Sequence, residues 1–384
     1  MLYIDVTVSI VTYNSKNVIE NCIRSVIETT KDMDVEIIVV DNFSEDGSAE
    51  LIRLLFPHVR LIENRENVGF GKAHNQAFRL SKGRYFLILN PDTIIFPNAI
   101  QKMVEFMDSH THAGVAGCKI FWDDEKNFMF PDLRIHNLKT SIIHFTPFCR
   151  FFPNNLISKW FWKTAYHVWN AKIPTEVDGV TGGLLMVRRE IFESVGLFDE
   201  NFFLFFEEHD LLKRIKKKGW KIYYLPDAEI QHYFEESFRN SSIDAGKIYR
   251  QSALYYYKKH YKVLGFLIIK SMFVLNKLFQ PLVSRILQNR NTYTEVHPIN
   301  GRLKIIWPSH KGAKRYLVEV SYSPSFSDRG GMYIEGEAFS LKSDILNRLP
   351  NKTGFLRLLP VYDDNSTGEV IKIIKITDKP TVKS

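Results

Sequence analysis

Phe86-Leu87-Ile88-Leu89 is a continuous apolar run that stops at Asn90-Pro91-Asp92. A short run without polar alternation suits a strand covered on both faces, and proline, which has no amide hydrogen to donate, ends the ladder. Asp92 is thereby expected at the carboxyl end of a buried strand. In open α/β sheets that end faces the ligand crevice, so a single acid there is a candidate for a metal or phosphate site. An aspartate that only closes the following turn is the alternative, because Asn-Pro-Asp is also turn chemistry.

Related patterns precede it. Residues 6–12 are β-branched and apolar and pass through Tyr13-Asn14-Ser15 into helical spacing at Val18, Ile19, Cys22, Ile23, Val26 and Ile27. Residues 35–40 form a second run, which ends at Asp41-Asn42. A helix over 49–56, a short strand over 59–62 and a helix after Gly69 complete repeated strand–helix units. The alternation predicts an α/β fold with a mostly parallel, Rossmann-like sheet and helices on both faces. Gly69 and Gly71 lack the spacing of a dinucleotide fingerprint. Either they let backbone approach a ligand or the Asp92 turn, with Asn75 bonding that backbone, or they give a flexible helix start.

Further along, Thr181-Gly182-Gly183 opens a strand within 177–188, where small residues leave room for a ligand. Glu207, Glu208 and Asp210 then begin a helix with apolar Leu211, Leu212 and Ile215. The helix dipole favours acids at that end, but three after an aromatic run exceed what it needs. Glu208 and Asp210, two apart, point in different directions, so one can face a cleft while the other orients its neighbours. A strand over 221–225 precedes His232.

Length and charge narrow the class. A chain of 384 residues with 45% apolar content exceeds one typical domain. Lys and Arg number 51 against 43 Asp and Glu, an excess of +8 that suits nucleotide phosphates, anionic lipid or nucleic acid. Cys22, Cys118 and Cys149, odd in number and far apart, support neither a disulfide framework nor a zinc cluster and point to a reducing cytoplasm. The first residues read as a strand without a basic start, so no signal peptide is expected.

Three later stretches differ. Residues 145–169 crowd Phe148, Phe151, Trp160 and Trp162 among Arg150, Lys159 and Lys163, which suits a lipid interface, stacking on nucleic acid or ordinary core packing. Residues 255–288 are apolar and basic, but Lys270 and Lys277 interrupt any span of about 20 apolar residues. An amphipathic helix in the membrane interface is expected there, with a helix packed on the preceding domain as the alternative. From about residue 295, short β-rich segments between turns predict a small antiparallel sandwich that resembles a fibronectin type III domain, with Trp307 and residues 355–361 in its core strands. The expected organisation is thus 1–254, 255–292 and 293–384.

Taken together, VSIVTYN, VVDNFSEDGS, NVGFGKAHNQAF, LILNPDT, GGLLMVRREIFESVGLFDENFFLFFEEHDLLKR and IQHYFEES, in this order, resemble the inverting family 2 glycosyltransferases of GT-A fold, in particular the bacterial rhamnosyltransferase-like branch. The resemblance implies that Thr12, Tyr13 and Asp41 hold the base and ribose of a nucleotide sugar. Asn14, Asn42, Gly69, Asn75 and Asn90 complete the candidates for donor contacts. It also implies that Asp92, the last acid of a DXD-like motif whose first acid is here Asn90, holds Mg2+ or Mn2+ on the donor diphosphate, supported by His232. Glu208, where the family carries Asp, matches the general base, and Asp210 is the competing candidate. The implied donor is dTDP-L-rhamnose, with a UDP-hexose as the alternative. The implied acceptor is a lipid-linked surface glycan reached from the inner face of the cell membrane, with self-association left open. A catalytically silent glycan- or membrane-binding scaffold is the reading from another class. Dispersed basic residues speak against nucleic acid.

Overall fold

The computed structural model describes residues 4–129, 136–145, 168, 171–181, 183–233, 244–290, 294–298, 302–321, 330–342, 353–363, 367–368 and 370–377. The chain divides into two compact units. The first comprises Met1–Ile120, Asp132–Ile142 and Ala171–Ser271, and the second Phe121–Pro131, Ile143–Asn170 and Met272–Ser384.

The first unit begins as the apolar runs require, with β1 (Val6–Thr12), α1 (Lys16–Thr29), β2 (Val35–Asp41), α2 (Ser48–Leu55), β3 (Arg60–Glu63), α3 (Phe70–Leu80) and β4 (Tyr85–Leu89). Every residue of β1 and β4 is buried, as strands covered on both sides must be. There follow β5 (Thr93–Ile95), α4 (Ala99–Ser109), β6 (Ala113–Phe121), α5 (Leu138–Phe145), β7 (Thr175–Glu176), β8 (Leu184–Arg188), α6 (Arg189–Ser194), α7 (Glu207–Lys217) and β9 (Lys221–His232). The sheet order is β3-β2-β1-β4-β8-β6-β9-β5, with β7 on β9. Pairing is parallel from β3 to β4, while β4–β8, β6–β8, β5–β9 and β7–β9 are antiparallel. The parallel part thus follows the strand–helix alternation, and the sheet turns antiparallel where that alternation stops.

β9 runs seven residues beyond the strand expected over 221–225, straight through Pro226. The proline falls between Tyr223 and Tyr224, which pair with β7, and Ile230 to His232, which pair with β5. It therefore costs neither of those ladders a bond.

The helix α8 (Ala245–Arg290) breaks at Lys262, where φ is 58° and ψ −156°. Before the break Ala253, Tyr256 and Tyr257 are fully buried. After it Val263, Leu264, Leu267, Val274, Leu278 and Leu282 are each more than half exposed. The first unit accordingly extends to Ser271, past the boundary expected at residue 254. Among the described residues no helix is long and apolar enough to cross a membrane. The aromatic stretch 145–169 lies outside the described residues, apart from Phe145 and Val168, both buried.

The second unit holds β10 (Thr294–Val296), β11 (Arg302–Ile306), β12 (Arg315–Ser321), β13 (Gly330–Ile334), β14 (Ala338–Lys342), β15 (Thr353–Val361) and β16 (Lys372–Thr377). One sheet runs β10-β16-β15-β12-β13 and the other pairs β11 with β14. β11 and β14 alternate exposed and buried residues, so only one face of that sheet is covered. Trp307 is buried, its ring edge-on to Tyr316 with centroids 5.3 Å apart. The unit also takes in residues that precede it by some two hundred positions, for Met129 exchanges backbone hydrogen bonds with Gly331 and Lys342 Nζ lies 2.9 Å from Glu125.

Candidate active site

β1 and β2 end side by side, with Thr12 directly opposite Asp41. The Thr12 hydroxyl and Asp41 Oδ1 are both buried without a hydrogen-bond partner, while Asp41 Oδ2 accepts the Ser44 amide at 3.0 Å. Burial raises the Asp41 carboxyl above its usual range, against the lowering effect of the Ser44 bonds. Two unmatched polar atoms at adjacent strand ends can receive the N–H and O–H groups of a ligand. Tyr13 is half-buried beside them.

Asn14 and Asn42 stand at the same strand ends but are occupied otherwise. Asn14, at φ 50°, accepts the Glu45 amide on Oδ1 at 2.9 Å. Asn42 Oδ1 accepts the Val68 amide and the Asn64 side chain at 3.0 and 3.1 Å, and its Nδ2 donates to Asn67 at 2.8 Å. These bonds shape the loops and use the groups that a ligand would need. Asn42, expected at the donor, is engaged on both side-chain atoms by the loop over 64–68.

The Asn90-Pro91-Asp92 corner meets the end of β9. Thr93 pairs with His232, and the Tyr233 amide donates to the Asp92 carbonyl at 3.0 Å. His232 Nε2 lies 2.9 Å from Asp92 Oδ1 and 3.2 Å from Asn90 Nδ2, and Asn90 Oδ1 is buried without a partner. A Cβ on Gly183 would come within 2.9 Å of the His232 ring. The room at Gly183 is thus filled by the His232 ring. A carboxylate with an amide oxygen beside it suits a hard divalent cation, which needs one or two such ligands besides substrate phosphates. Among the described residues no cluster of three or more His, Cys, Asp or Glu could hold a metal by itself.

The acids of α7 are presented by a strained turn. Phe205 and Phe206 have φ of 67° and 70°, a conformation that costs a residue with a side chain about 1–3 kcal/mol. Phe206 is pinned in exchange, 2% exposed, with its ring centroid 5.0 Å from His136, 5.2 Å from Tyr249 and 5.4 Å from Tyr256. Gly69, at φ 89°, supports the loop from the other side: a Cβ there would meet the Phe203 carbonyl at 2.5 Å, and the Phe70 amide donates to that carbonyl at 2.9 Å. Asn75 Nδ2 donates to the Phe198 carbonyl and to Glu200, each at 3.0 Å, and its Oδ1 accepts the Phe198 amide at 3.1 Å. Gly69 and Asn75, both candidates for donor contacts, hold the loop over 198–206.

The three acids then have three environments. Glu207 is 4% exposed, and its Oε2 has no partner. Burial, with the Glu208 charge beside it, pushes its carboxyl well above the usual range. The Glu208 side chain keeps 21% of its surface, and Oε1 is 3.9 Å from His209 Nε2. Asp210 is fully buried and accepts from Arg214 Nε at 2.8 Å, Lys259 Nζ at 2.8 Å and His260 Nε2 at 2.7 Å. Burial works to raise its carboxyl, but the His260 hydrogen bond and the two cations outweigh that and hold it below the usual range. A carboxylate shut from solvent and saturated by cations is not placed to take a proton from an incoming hydroxyl. Of the two base candidates, Glu208 is the one that reaches solvent.

Sequence reasoning missed Lys259 and His260. They lie some fifty residues downstream in a run of tyrosines and lysines that carries no motif, so no local signal marks them.

Comparison with known proteins follows the same lines. A family model described as Glycosyl transferase family 2 matches residues 7–196. The N-acetylglucosaminyl-diphospho-decaprenol L-rhamnosyltransferase of Mycobacterium tuberculosis (strain CDC 1551 / Oshkosh) is 30% identical over 237 residues, 58% of this chain and 74% of the relative. The dTDP-rhamnosyl transferase RfbF of Shigella flexneri is 27% identical over 230 residues, 58% of this chain and 67% of its own. Among solved structures, the mannosyltransferase PcManGT from Pyrobaculum calidifontis, in complex with GDP-Man and Mn2+, matches 75% of each chain with a TM-score of 0.46 and 19% identity.

Proposed function

The chain belongs to glycosyl transferase family 2, and from that premise we propose that it carries a sugar from dTDP-L-rhamnose to a hydroxyl of a lipid-linked glycan, inverting the anomeric carbon. The choice of donor and acceptor is supported by the two rhamnosyl-transferring relatives. The observation that carries the site assignment is the contrast between a carboxylate held on His232 at a strand end and a second, solvent-reaching carboxylate, Glu208, on a helix start.

In this reading Thr12 and Asp41 receive the hydrogen-bond donors of the base and ribose, for which their unmatched atoms are suited. Asp92 and the Asn90 amide oxygen would hold Mg2+ or Mn2+, which when bound neutralises charge on the leaving diphosphate. His232 keeps the Asp92 carboxylate in place through its Nε2. Glu208 takes the proton of the acceptor hydroxyl as its oxygen bonds to the anomeric carbon and the bond to the diphosphate breaks. Single displacement from the face opposite the leaving group gives inversion.

Two further parts complete the proposal. The exposed aliphatic side chains over 263–282, with exposed Lys262, Lys270 and Lys277 among them, lie in the anionic inner surface of the membrane that carries the acceptor. The second unit is a fibronectin type III-like sandwich that binds or spaces. In support, β11 pairs with β14 in one sheet and β13, β12, β15 and β16 are consecutive in the other.

A thermal-shift panel of dTDP-L-rhamnose, UDP-sugars and GDP-sugars, each with and without Mn2+, tests the donor site. We expect a metal-dependent rise in midpoint with the thymidine nucleotide that is lost in Asp92→Ala. A rise with a uridine nucleotide alone would move the donor to a UDP-hexose. No rise with any nucleotide would leave a scaffold role. Wild-type protein should also float with anionic vesicles at low salt, and failure to do so would remove the membrane from the proposal.

A further inference from the structure

Lys259 stands between two carboxylates eleven positions apart in the chain. Its Nζ is 2.6 Å from Asp199 Oδ2 and 2.8 Å from Asp210 Oδ1, so one ammonium ties the two ends of the segment that carries Phe205, Phe206, Glu207 and Glu208. His260 adds its Nε2 to Asp210 at 2.7 Å, and Tyr255 gives its hydroxyl to Asp199 at 2.9 Å. Ser252, on the same stretch of α8, donates to the Leu204 carbonyl at 2.7 Å. Four side chains within residues 252–260, about two and a half turns of one helix, thus grip the loop and the start of the helix that follows it.

The grip has a physical purpose. Without Lys259, Asp199 and Asp210 would face each other across the loop ends, with Arg214 and the His260 hydrogen bond left to hold Asp210. Burial works against the charge of Asp199, yet the Lys259, Asn201 and Tyr255 bonds bring its carboxyl down to about 2. The loop they close contains two non-glycine residues in left-handed backbone, a conformation that persists only where surrounding contacts enforce it. Glu208 follows directly on that backbone, two residues after Phe206 and two before Asp210. Any relaxation of the loop therefore moves the carboxylate.

We propose that Lys259 and His260 are positioning residues of glycosyl transfer, which act through Asp199 and Asp210 to set the place of the Glu208 carboxylate. The inference rests on the reading of Glu208 as the base. It enlarges the catalytic apparatus to the first half of α8, which lies beyond the residues matched by the family model.

The test uses the full chain with dTDP-L-rhamnose, a short-chain N-acetylglucosaminyl-diphospho-lipid and Mn2+, reading nucleoside diphosphate release. Lys259→Met and His260→Leu should each lower kcat by about 100-fold, the scale of a base displaced by about 1 Å. KM for the donor and the nucleotide-induced midpoint shift should stay within about twofold of wild type. His260→Gln, which keeps an N–H donor of similar reach, and Lys259→Arg, which keeps the charge, should recover most of kcat and remain informative if the harsher variants fold poorly. Wild-type kcat in folded Lys259→Met and His260→Leu would overturn the proposal. So would a parallel loss of donor affinity, or no difference between His260→Gln and His260→Leu. If wild type transfers and Glu208→Gln does not, while the four variants match wild type, the clamp alone fails. If wild type itself does not transfer, the reading of the function fails with it.

Discussion

The proposed donor side and the proposed acceptor side of this unit are built in different ways. Thr12, Asp41, Asp92 and His232 sit at or next to the ends of strands, where ladder hydrogen bonds fix the backbone before any side chain acts. Glu208 sits after a loop whose backbone is strained and whose place depends on Phe206, Gly69, Asn75 and the side chains of α8. The first arrangement is rigid by topology, and the second is rigid only through remote contacts. A side chain held in this second way is easier to misplace.

The comparison is broken most severely by removing the pin. Phe206→Ala takes a fully buried ring out of the cluster formed by His136, Tyr249 and Tyr256, and should cost about 3–5 kcal/mol of stability. Denaturant unfolding will read this. If the loop is an independent appendage, the change will instead be below about 1 kcal/mol, and nucleotide binding will be untouched in either case where the protein stays folded.

A smaller effect sharpens the same contrast. Glu207 has a carboxyl raised by burial, so the folded state binds its proton more tightly than the unfolded state does. The stability it contributes is present below its ordinary value of 4.5 and is lost as pH rises toward the folded value. Glu207→Gln has no proton to lose. Its melting temperature should therefore gain on wild type by a few degrees between pH 5 and pH 8, on the scale of about 2–4 °C per kcal/mol. An equal difference at both pH values would show that Glu207 is ionised in the folded protein.

What the sequence discloses follows from the same difference. Apolar runs ended by polar residues place β1, β2 and β4 and, with them, Asp41 and Asp92, because a strand and its terminal side chain are neighbours in the chain. The loop bonds of Asn42 and Asn75 are not legible in the same way, since an amide that braces a loop and an amide that binds a ligand are the same residue type. Nor can hydrophobic pattern divide α8. Tyr256 and Tyr257 before the break and Leu264 and Leu267 after it are all apolar enough to be buried, and only the tertiary structure buries the first pair. Lys259 and His260 are invisible for a further reason. Their partners lie fifty to sixty residues away, and nothing in a run of tyrosines and lysines says which charges are paired. Met129 is hidden likewise, as its pairing with Gly331 is fixed by a fold that the local sequence does not encode.

The central claim is that Glu208 removes the acceptor proton in a nucleotide-sugar transfer whose donor site is built elsewhere. The most direct measurement is turnover with dTDP-L-rhamnose and the diphospho-lipid acceptor for wild type and Glu208→Gln, with nucleotide affinity determined on the same two proteins. The account predicts a fall in kcat of about 100- to 10,000-fold, the range of a lost general base, with affinity for the nucleotide unchanged. Near-normal turnover by folded Glu208→Gln would contradict it.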